Sequence, residues 1–430
     1  MVKEKIKDWN FKDVQRLSDD FDKKEKSEEK VIDIKLEQKE YDKLTIEFKK
    51  CYENILQILK YYMDMSEENY QLVTIWILGT YLHDNFETYP YLYVNAMRGS
   101  AKTRLLKLIS HLAKDGELLT SVTEAVLFRT KGSLCIDEFE RINSKEKSSI
   151  RELLNAAYKK GIKIKRLRRE KTSTGEVQTI EEFEVYRPIV IANIWGMEEV
   201  LGDRCIPIVL ERSNNPYHVL KTENFNTNPQ ISEISKVLNT DWCRKCSVGW
   251  LKQYIEGWNT YIEQRYKPTL STPLTLLNNH TLLTLITIEQ EEIYNKIHDS
   301  KIDGRNLELL FPLIITARFL NIKIFDIILG IGKDIVKKKK TEEFTESRDV
   351  TFIDFISNQN TQEFVSISYL KKGFSEFLGE RDESDKWLSH EWIGKALKRL
   401  NLIIDKRRIA RGVEIILDIV KAKDKIKMFK

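Results

Sequence analysis

A chain of 430 residues with 41% hydrophobic content is long enough to bury two or three cores. No apolar run approaches the ~18–20 residues of a membrane span, and the opening MVKEKIKDWNFKD lacks the apolar centre of a secretory signal, so a cytoplasmic protein is expected. The net charge of +5 is a small difference between 71 basic and 66 acidic residues, so global charge says little about nucleic acid and local clustering must decide.

Residues 1–45 read as a charged mobile arm or exposed helix. Between Asp19 and Leu44, charges of both signs interleave with few large apolar residues, too little hydrophobic surface to offset ordering entropy. Residues 46–88 take helical periodicity, and NYQLVTIWILGTYL is apolar on most sides, as a buried helix requires. Residues 89–215 alternate short β-rich runs (YLYV, SLCI, PIVIAN, IPIVL) with helical stretches (TRLLKLISHLAK, KEKSSIRELLNAAYKK). That alternation predicts an α/β domain with a largely parallel sheet. A helical region over 216–342 and a separate segment over 343–430 follow.

The five cysteines, Cys51, Cys135, Cys205, Cys243 and Cys246, are too few and scattered for a disulfide framework. Cys243 and Cys246 have zinc-like spacing, but nothing downstream completes four ligands. A helical turn is the preferred reading.

Tyr93-Val-Asn-Ala-Met-Arg-Gly-Ser-Ala-Lys-Thr-Arg-Leu-Leu-Lys107 reads as strand, loop and amphipathic helix. Backbone N–H groups of Arg98, Gly99, Ser100, Ala101, Lys102, Thr103 and Arg104 would cradle the phosphates of ATP. Lys102 would reach the β- and γ-phosphates and Thr103 would ligate Mg²⁺. Ala96 and Ala101 stand where such loops carry glycine. A right-handed start to the helix would suit Ala101, and a negative φ at the loop entry would suit Ala96. Some thirty residues on, a short buried strand ends in Asp137 and Glu138. Asp137 would sit beside the magnesium through water, and Glu138 would polarise the attacking water. Asn193, ending PIVIAN, would orient that water or sense the γ-phosphate. Arg204 and Arg212 flank the next strand, where an arginine at a subunit edge could complete a neighbour's site or form a surface salt bridge.

On these residues the chain resembles the AAA+ ATPases of the helicase group, the superfamily III and MCM-like proteins, and especially helicase-like ATPases of phages, plasmids and other mobile elements. The similar stretch is roughly 65–325. The resemblance implies a P-loop core with a parallel sheet and helical flanks, Walker A at Gly99 to Thr103, and Walker B at Asp137 and Glu138. It further implies sensor 1 at Asn193, an arginine finger at Arg204 with Arg212 as second choice, and a homo-hexameric ring with ATP sites between subunits.

Residues 161–187 read as a β-hairpin turning at Ser173-Thr-Gly175, with a basic first strand that includes Arg166, Arg168, Arg169 and Lys171. The second strand carries Glu176, Glu181, Glu182 and Glu184, so a mutually neutralised edge hairpin is the alternative. The resemblance places a pre-sensor-1 β-hairpin here, pointing into a central channel, which favours phosphate contacts by Arg168, Arg169 and Lys171. Residues 343–430 independently read as a C-terminal winged helix. Ser389 would cap HEWIGKALKRLNLI, and the strands IIDKRRI and VEIILDIV would follow. Lys395, Lys398 and Arg399 would lie on the groove-facing helix, and Arg407, Arg408 and Arg411 on the wing. Such domains bind DNA or protein. The expected function is an ATP-dependent DNA helicase or translocase of a mobile element or virus, served by a separate primase or polymerase. The alternatives are an ATP-switched DNA-binding regulator or loader with little unwinding, and a non-hydrolysing structural ring.

Overall fold

The computed structural model describes residue 43 and residues 45–430, apart from 121, 140–143, 173–174, 194–196, 198, 267–285, 362, 380–386, 410–411 and 430. The charged arm expected over 1–45 therefore falls almost wholly outside the described residues.

Residues 45–62 form α1, and α2 spans Glu67–Thr80. Ser66 starts α2 by accepting the Asn69 N–H, with Glu67 and Glu68 favourably placed against the positive end of the helix dipole. Every residue from Tyr70 to Thr80 is buried. Gly79 is needed there, because a Cβ would lie 2.3 Å from the Tyr89 hydroxyl, which donates to the Trp76 carbonyl.

The central α/β layer follows in chain order: β1 (Tyr91–Ala96), α3 (Lys102–Leu112), β2 (Glu117–Leu119), α4 (Glu124–Arg129), β3 (Leu134–Ile136) and α5 (Ser144–Ala157). An antiparallel pair, β4 (Lys163–Thr172) and β5 (Gly175–Glu184), interrupts it before β6 (Ile189–Asn193), α6 (Glu199–Gly202) and β7 (Cys205–Leu210). Five strands make one parallel sheet in the order β2-β3-β6-β1-β7. Parallel strands need crossovers, and α3, α4 with the strands between, and α5 supply them. The central β1 and β6 are the near-continuous apolar runs that burial on both faces demands.

Helices α7 (Pro216–Val219), α8 (Pro229–Leu238), α9 (Asp241–Tyr266), α10 (Ile288–Asp299), α11 (Gly304–Leu320) and α12 (Ile322–Glu346) follow. A capping box at Thr287 and Gln290 opens α10. Trp258 stacks on Tyr261 within α9, and Trp258 and Tyr254 meet the buried Tyr294 of α10 edge-on, its hydroxyl donating to the Tyr254 carbonyl. Cys243 and Cys246 lie within α9, with side chains outside the described set.

The chain forms two compact units, dividing between Lys333 and Asp334 inside α12; the sequence boundary at 342/343 falls in the same helix. The second unit contains α13 (Arg348–Ser357), β8 (Val365–Ser366), α14 (Ile367–Phe377), α15 (His390–Arg399), β9 (Ile403–Ile409), β10 (Gly412–Leu417) and α16 (Ile419–Ile426). Its three strands form an antiparallel sheet in the order β8-β10-β9. Phe352, Phe355, Phe374 and Trp392 make an aromatic core beneath them. Ser389 caps α15 by accepting the Trp392 N–H. The second strand is shorter than the expected VEIILDIV. It stops at Leu417 because the Asp418 side chain accepts the Lys421 N–H and starts α16. No helix among the described residues is long and apolar enough to cross a membrane.

Candidate functional site

All five parallel strands point the same way, so Ala96, Asp137 and Asn193 emerge at one edge of the sheet, Asn95 being in register with Asn193. The C-terminal edge of an open parallel sheet is where such folds bind ligands. The chain between β1 and α3 turns through Gly99 (φ 81) and Ala101 (φ 61, ψ 24). The Ser100 hydroxyl donates to the Met97 carbonyl at 2.6 Å, closing the loop, while Arg98 stays exposed.

Ala101 thus departs from the right-handed conformation expected of it. The loop must reverse just ahead of the helix, and that geometry lies in the left-handed region where a Cβ costs about 1 kcal/mol. Ala96 meets expectation: it ends β1 in register with Leu210 and is absent from the positive-φ residues. The first intrahelical hydrogen bond runs from Leu105 to the Ala101 carbonyl, so the N–H groups of Lys102, Thr103 and Arg104 have no partner inside α3 and form the positive end of its dipole.

Lys102, Thr103 and Asp137 meet. The Thr103 hydroxyl donates to Asp137 Oδ2 at 2.6 Å, and Lys102 Nζ lies 3.7 Å from Asp137 Oδ1. The Glu138 N–H donates to the same Oδ1 at 2.9 Å, and the Asp137 N–H donates to the Leu119 carbonyl. Asp137 is only 4% exposed, a buried carboxylate kept in place by a hydroxyl, an ammonium and an amide. Glu138 is left-handed as well, with φ 53. The other non-glycine residues at positive φ, Asp115, Lys301 and Asn401, closely follow helix ends, where this conformation is ordinary. Ala101 and Glu138 flank the lysine and the carboxylate instead, so the local strain collects at this edge. The hard oxygens of Thr103 and Asp137 suit Mg²⁺, which retains most of its water; no larger metal-binding group of His, Cys, Asp or Glu occurs among the described residues.

The Arg104 side chain is taken up by the connector after β7. Its guanidinium donates to the carbonyls of His218 (3.0 Å) and Lys221 (2.9 Å), and Nε lies 3.6 Å from Glu223. It fastens the connector after β7 over the first turn of α3, leaving only its backbone N–H for a ligand. Arg204 lies at the other edge of the sheet. It immediately precedes Cys205, whose register partner is Tyr91 at the start of β1, about 16 Å of strand from the loop. Its guanidinium sits 5.0 Å from the centroid of Tyr158, a ring that Arg305 also covers at 5.1 Å, and it donates to the Val200 carbonyl. It cannot serve the loop of its own chain.

The hairpin runs in register from Lys163↔Glu184 to Thr172↔Gly175. Ile164 and Phe183 pack against the core beneath the sheet and anchor its base. Much of the basic strand is neutralised there: Lys163 and Lys165 lie 3.2 and 3.0 Å from Glu182, and Arg166 pairs with Glu124 of α4. The Arg166 guanidinium is thereby held against the body of the unit. Leu167 and Ile180, directly opposite each other, stay 56% and 65% exposed. Arg168, Arg169 and Lys171 lie on the distal half of β4, with side chains outside the described set, as is the turn at 173–174.

In the second unit Arg399 is bidentate with Asp349, at 2.9 Å from Nε, and that carboxylate holds the guanidinium above its ordinary pKa. Arg407 meets one oxygen of Glu414, Oε2, with both Nε and Nη2, and lies over Phe364. Lys395 pairs with Glu391 one turn away. Lys398 and Arg408 are exposed, and Arg411 lies outside the described residues.

Sequence reasoning missed Arg187. It is 5% exposed at the foot of β6, its Nε donating to the Val185 carbonyl and its Nη1 to that of Thr130, and burial lowers its pKa. An arginine among apolar residues just before a strand gave no signal of a structural cation bound by carbonyls.

The fold and the edge constellation define a parallel α/β protein whose strand–loop–helix brings a lysine and a threonine onto a buried aspartate. No family model and no curated protein matches the sequence.

Proposed function

We propose that this chain is an ATP-hydrolysing, DNA-acting motor with an AAA+-type P-loop core and a C-terminal winged helix, working as a helicase or translocase. The observation that carries the reading is the 2.6 Å hydrogen bond from Thr103 to Asp137 at the edge where Lys102 also arrives. A P-loop nucleotidase needs its magnesium hydroxyl and its metal-orienting carboxylate side by side. The strand order β2-β3-β6-β1-β7 and the hairpin between α5 and β6 agree with the AAA+ plan.

In this reading the N–H groups from Gly99 to Arg104 hold the phosphates and Lys102 turns from Asp137 to the β- and γ-oxygens. Thr103 and Asp137 would hold Mg²⁺, which would supply positive charge against the phosphates. Glu138 orients a water and takes its proton as oxygen attacks the γ-phosphorus, while ADP leaves from the opposite side. Asn193 stands at the end of β6, whose other end carries the hairpin. A rigid, buried strand thereby links the γ-phosphate to the DNA-gripping element. Arg204, remote from its own loop, would serve the next subunit of a homo-hexamer on leaving its half-buried seat over Tyr158. Arg168, Arg169 and Lys171 grip phosphates, and Lys398 and Arg408 offer a second contact.

A second reading, an ATP-switched DNA-binding regulator or loader, is favoured by the pairing of Arg166, Arg399 and Arg407 with carboxylates, which weakens the DNA grip. Nucleotide hydrolysis and fork unwinding, measured side by side on wild type and Lys102→Ala, separate the two. A motor hydrolyses ATP faster with single-stranded DNA and separates strands, and loses both in the variant. A regulator binds and assembles without unwinding. Failure of well-folded wild type to take up ATP or ADP, with magnesium and DNA supplied, sinks both.

A further inference from the structure

Arg212 follows β7 by two residues, and β7 ends at Leu210, the register partner of Ala96 where the phosphate loop begins. The guanidinium consequently lies on the loop of its own chain. A Cβ built on Gly99 would stand 3.5 Å from Arg212 Nε and 3.6 Å from both Cζ and Nη2. Gly99 is one of the two left-handed residues that shape the loop, so the arginine packs on the turn itself.

The guanidinium is exposed and makes no hydrogen bond or ion pair with any described residue. Arginines settled into structural roles look different in this molecule: Arg104 and Arg187 are bound by carbonyls, and Arg166 and Arg399 by carboxylates. A planar cation with a fork of uncommitted donors, against a loop whose N–H groups face the same edge, matches the oxygens of a polyphosphate.

We infer that Arg212 is a nucleotide contact in cis, donating from its guanidinium to the phosphates of the ATP held by its own loop. It does not complete a neighbour's site. This rests on the ATP-binding reading above and adds to it a charge that sequence position alone assigns equally well to a subunit boundary. Arg204 and Arg212 flank the same strand, and the strand separates their roles: Arg204, just before β7, is out of reach of the loop, and Arg212, two residues beyond it, lies beside Gly99 of the loop.

The test is equilibrium binding of MgATP to the full chain, at a concentration where sedimentation shows single molecules and no trans contact can form. Arg212→Ala should weaken binding about tenfold to a hundredfold, the size of a hydrogen bond to a charged group. Arg212→Lys should recover part of the loss, because it restores the charge without the fork. Arg212→Gln gives the same reading should the alanine variant not fold. Wild-type affinity in Arg212→Ala or Arg212→Gln overturns the inference while leaving the ATP site standing. No MgATP uptake by folded wild type overturns both.

Discussion

The sheet edge and the basic surfaces show opposite relations between residue type and role. At the edge, Lys102 and Thr103 from the first turn of α3 meet Asp137 from the end of β3 within 2.6–3.7 Å, because parallel strands deliver their C-termini to one place. Across the hairpin and the second unit, many of the cations that looked equivalent in the sequence are already engaged. Arg166, Arg399 and Arg407 have carboxylate partners, whereas Lys398 and Arg408 are exposed without a described partner. A motif defined by where strands end survives folding intact. A cluster of charge does not, since any nearby acid can absorb it.

The hardest blow to this contrast would fall at Glu138. If the edge is catalytic, Glu138→Gln should lower phosphate release about 10²- to 10⁴-fold, the usual contribution of a general base, with MgATP binding retained. Hydrolysis at the wild-type rate would leave the convergence at Asp137 as a structural cluster and remove the distinction between the two regions.

On the basic side, the engaged and open cations should separate in a salt titration of DNA binding. Lys398→Glu and Arg408→Glu should each weaken binding and reduce the slope of log affinity against log salt by about 1. Arg399→Ala and Arg407→Ala, at exposed ion pairs, should change stability by no more than about 1 kcal/mol and leave that slope nearly unaltered. Equal slopes for all four would show that the carboxylates open for DNA and that the pairing seen here says nothing about contact.

Legibility followed the range of the deciding interaction. The strands and helices around the loop could be read from periodicity and composition, and the Ser389 cap from its place before an apolar run. The early stop of β10 was also legible, because Asp418 ahead of Ile-Val-Lys is a cap signal that the run of apolar residues masked. Glu124 beneath Arg166 and the connector beneath Arg104 were not readable, since those partners lie 42 and more than 110 residues away and only the tertiary fold brings them together. Strand β2, three residues at the sheet edge, is too short to show a period.

The smallest effects sharpen the reading of the loop. Ala96 and Ala101 both replace glycine in the usual pattern, yet they sit in opposite backbone states: one ends a strand paired with Leu210, the other is left-handed at φ 61. Ala101→Gly should remove the Cβ penalty and raise stability by about 1 kcal/mol, less a few tenths for the added freedom of the unfolded chain. Ala96→Gly should lower stability by about 0.5–1 kcal/mol, because a paired extended position at negative φ gains nothing from glycine, while the unfolded chain gains freedom. Denaturant midpoints of the two variants should therefore move in opposite directions. Movement in the same direction would mean that the loop relaxes to a right-handed Ala101 in solution, and the phosphate cradle would then have to form as nucleotide arrives.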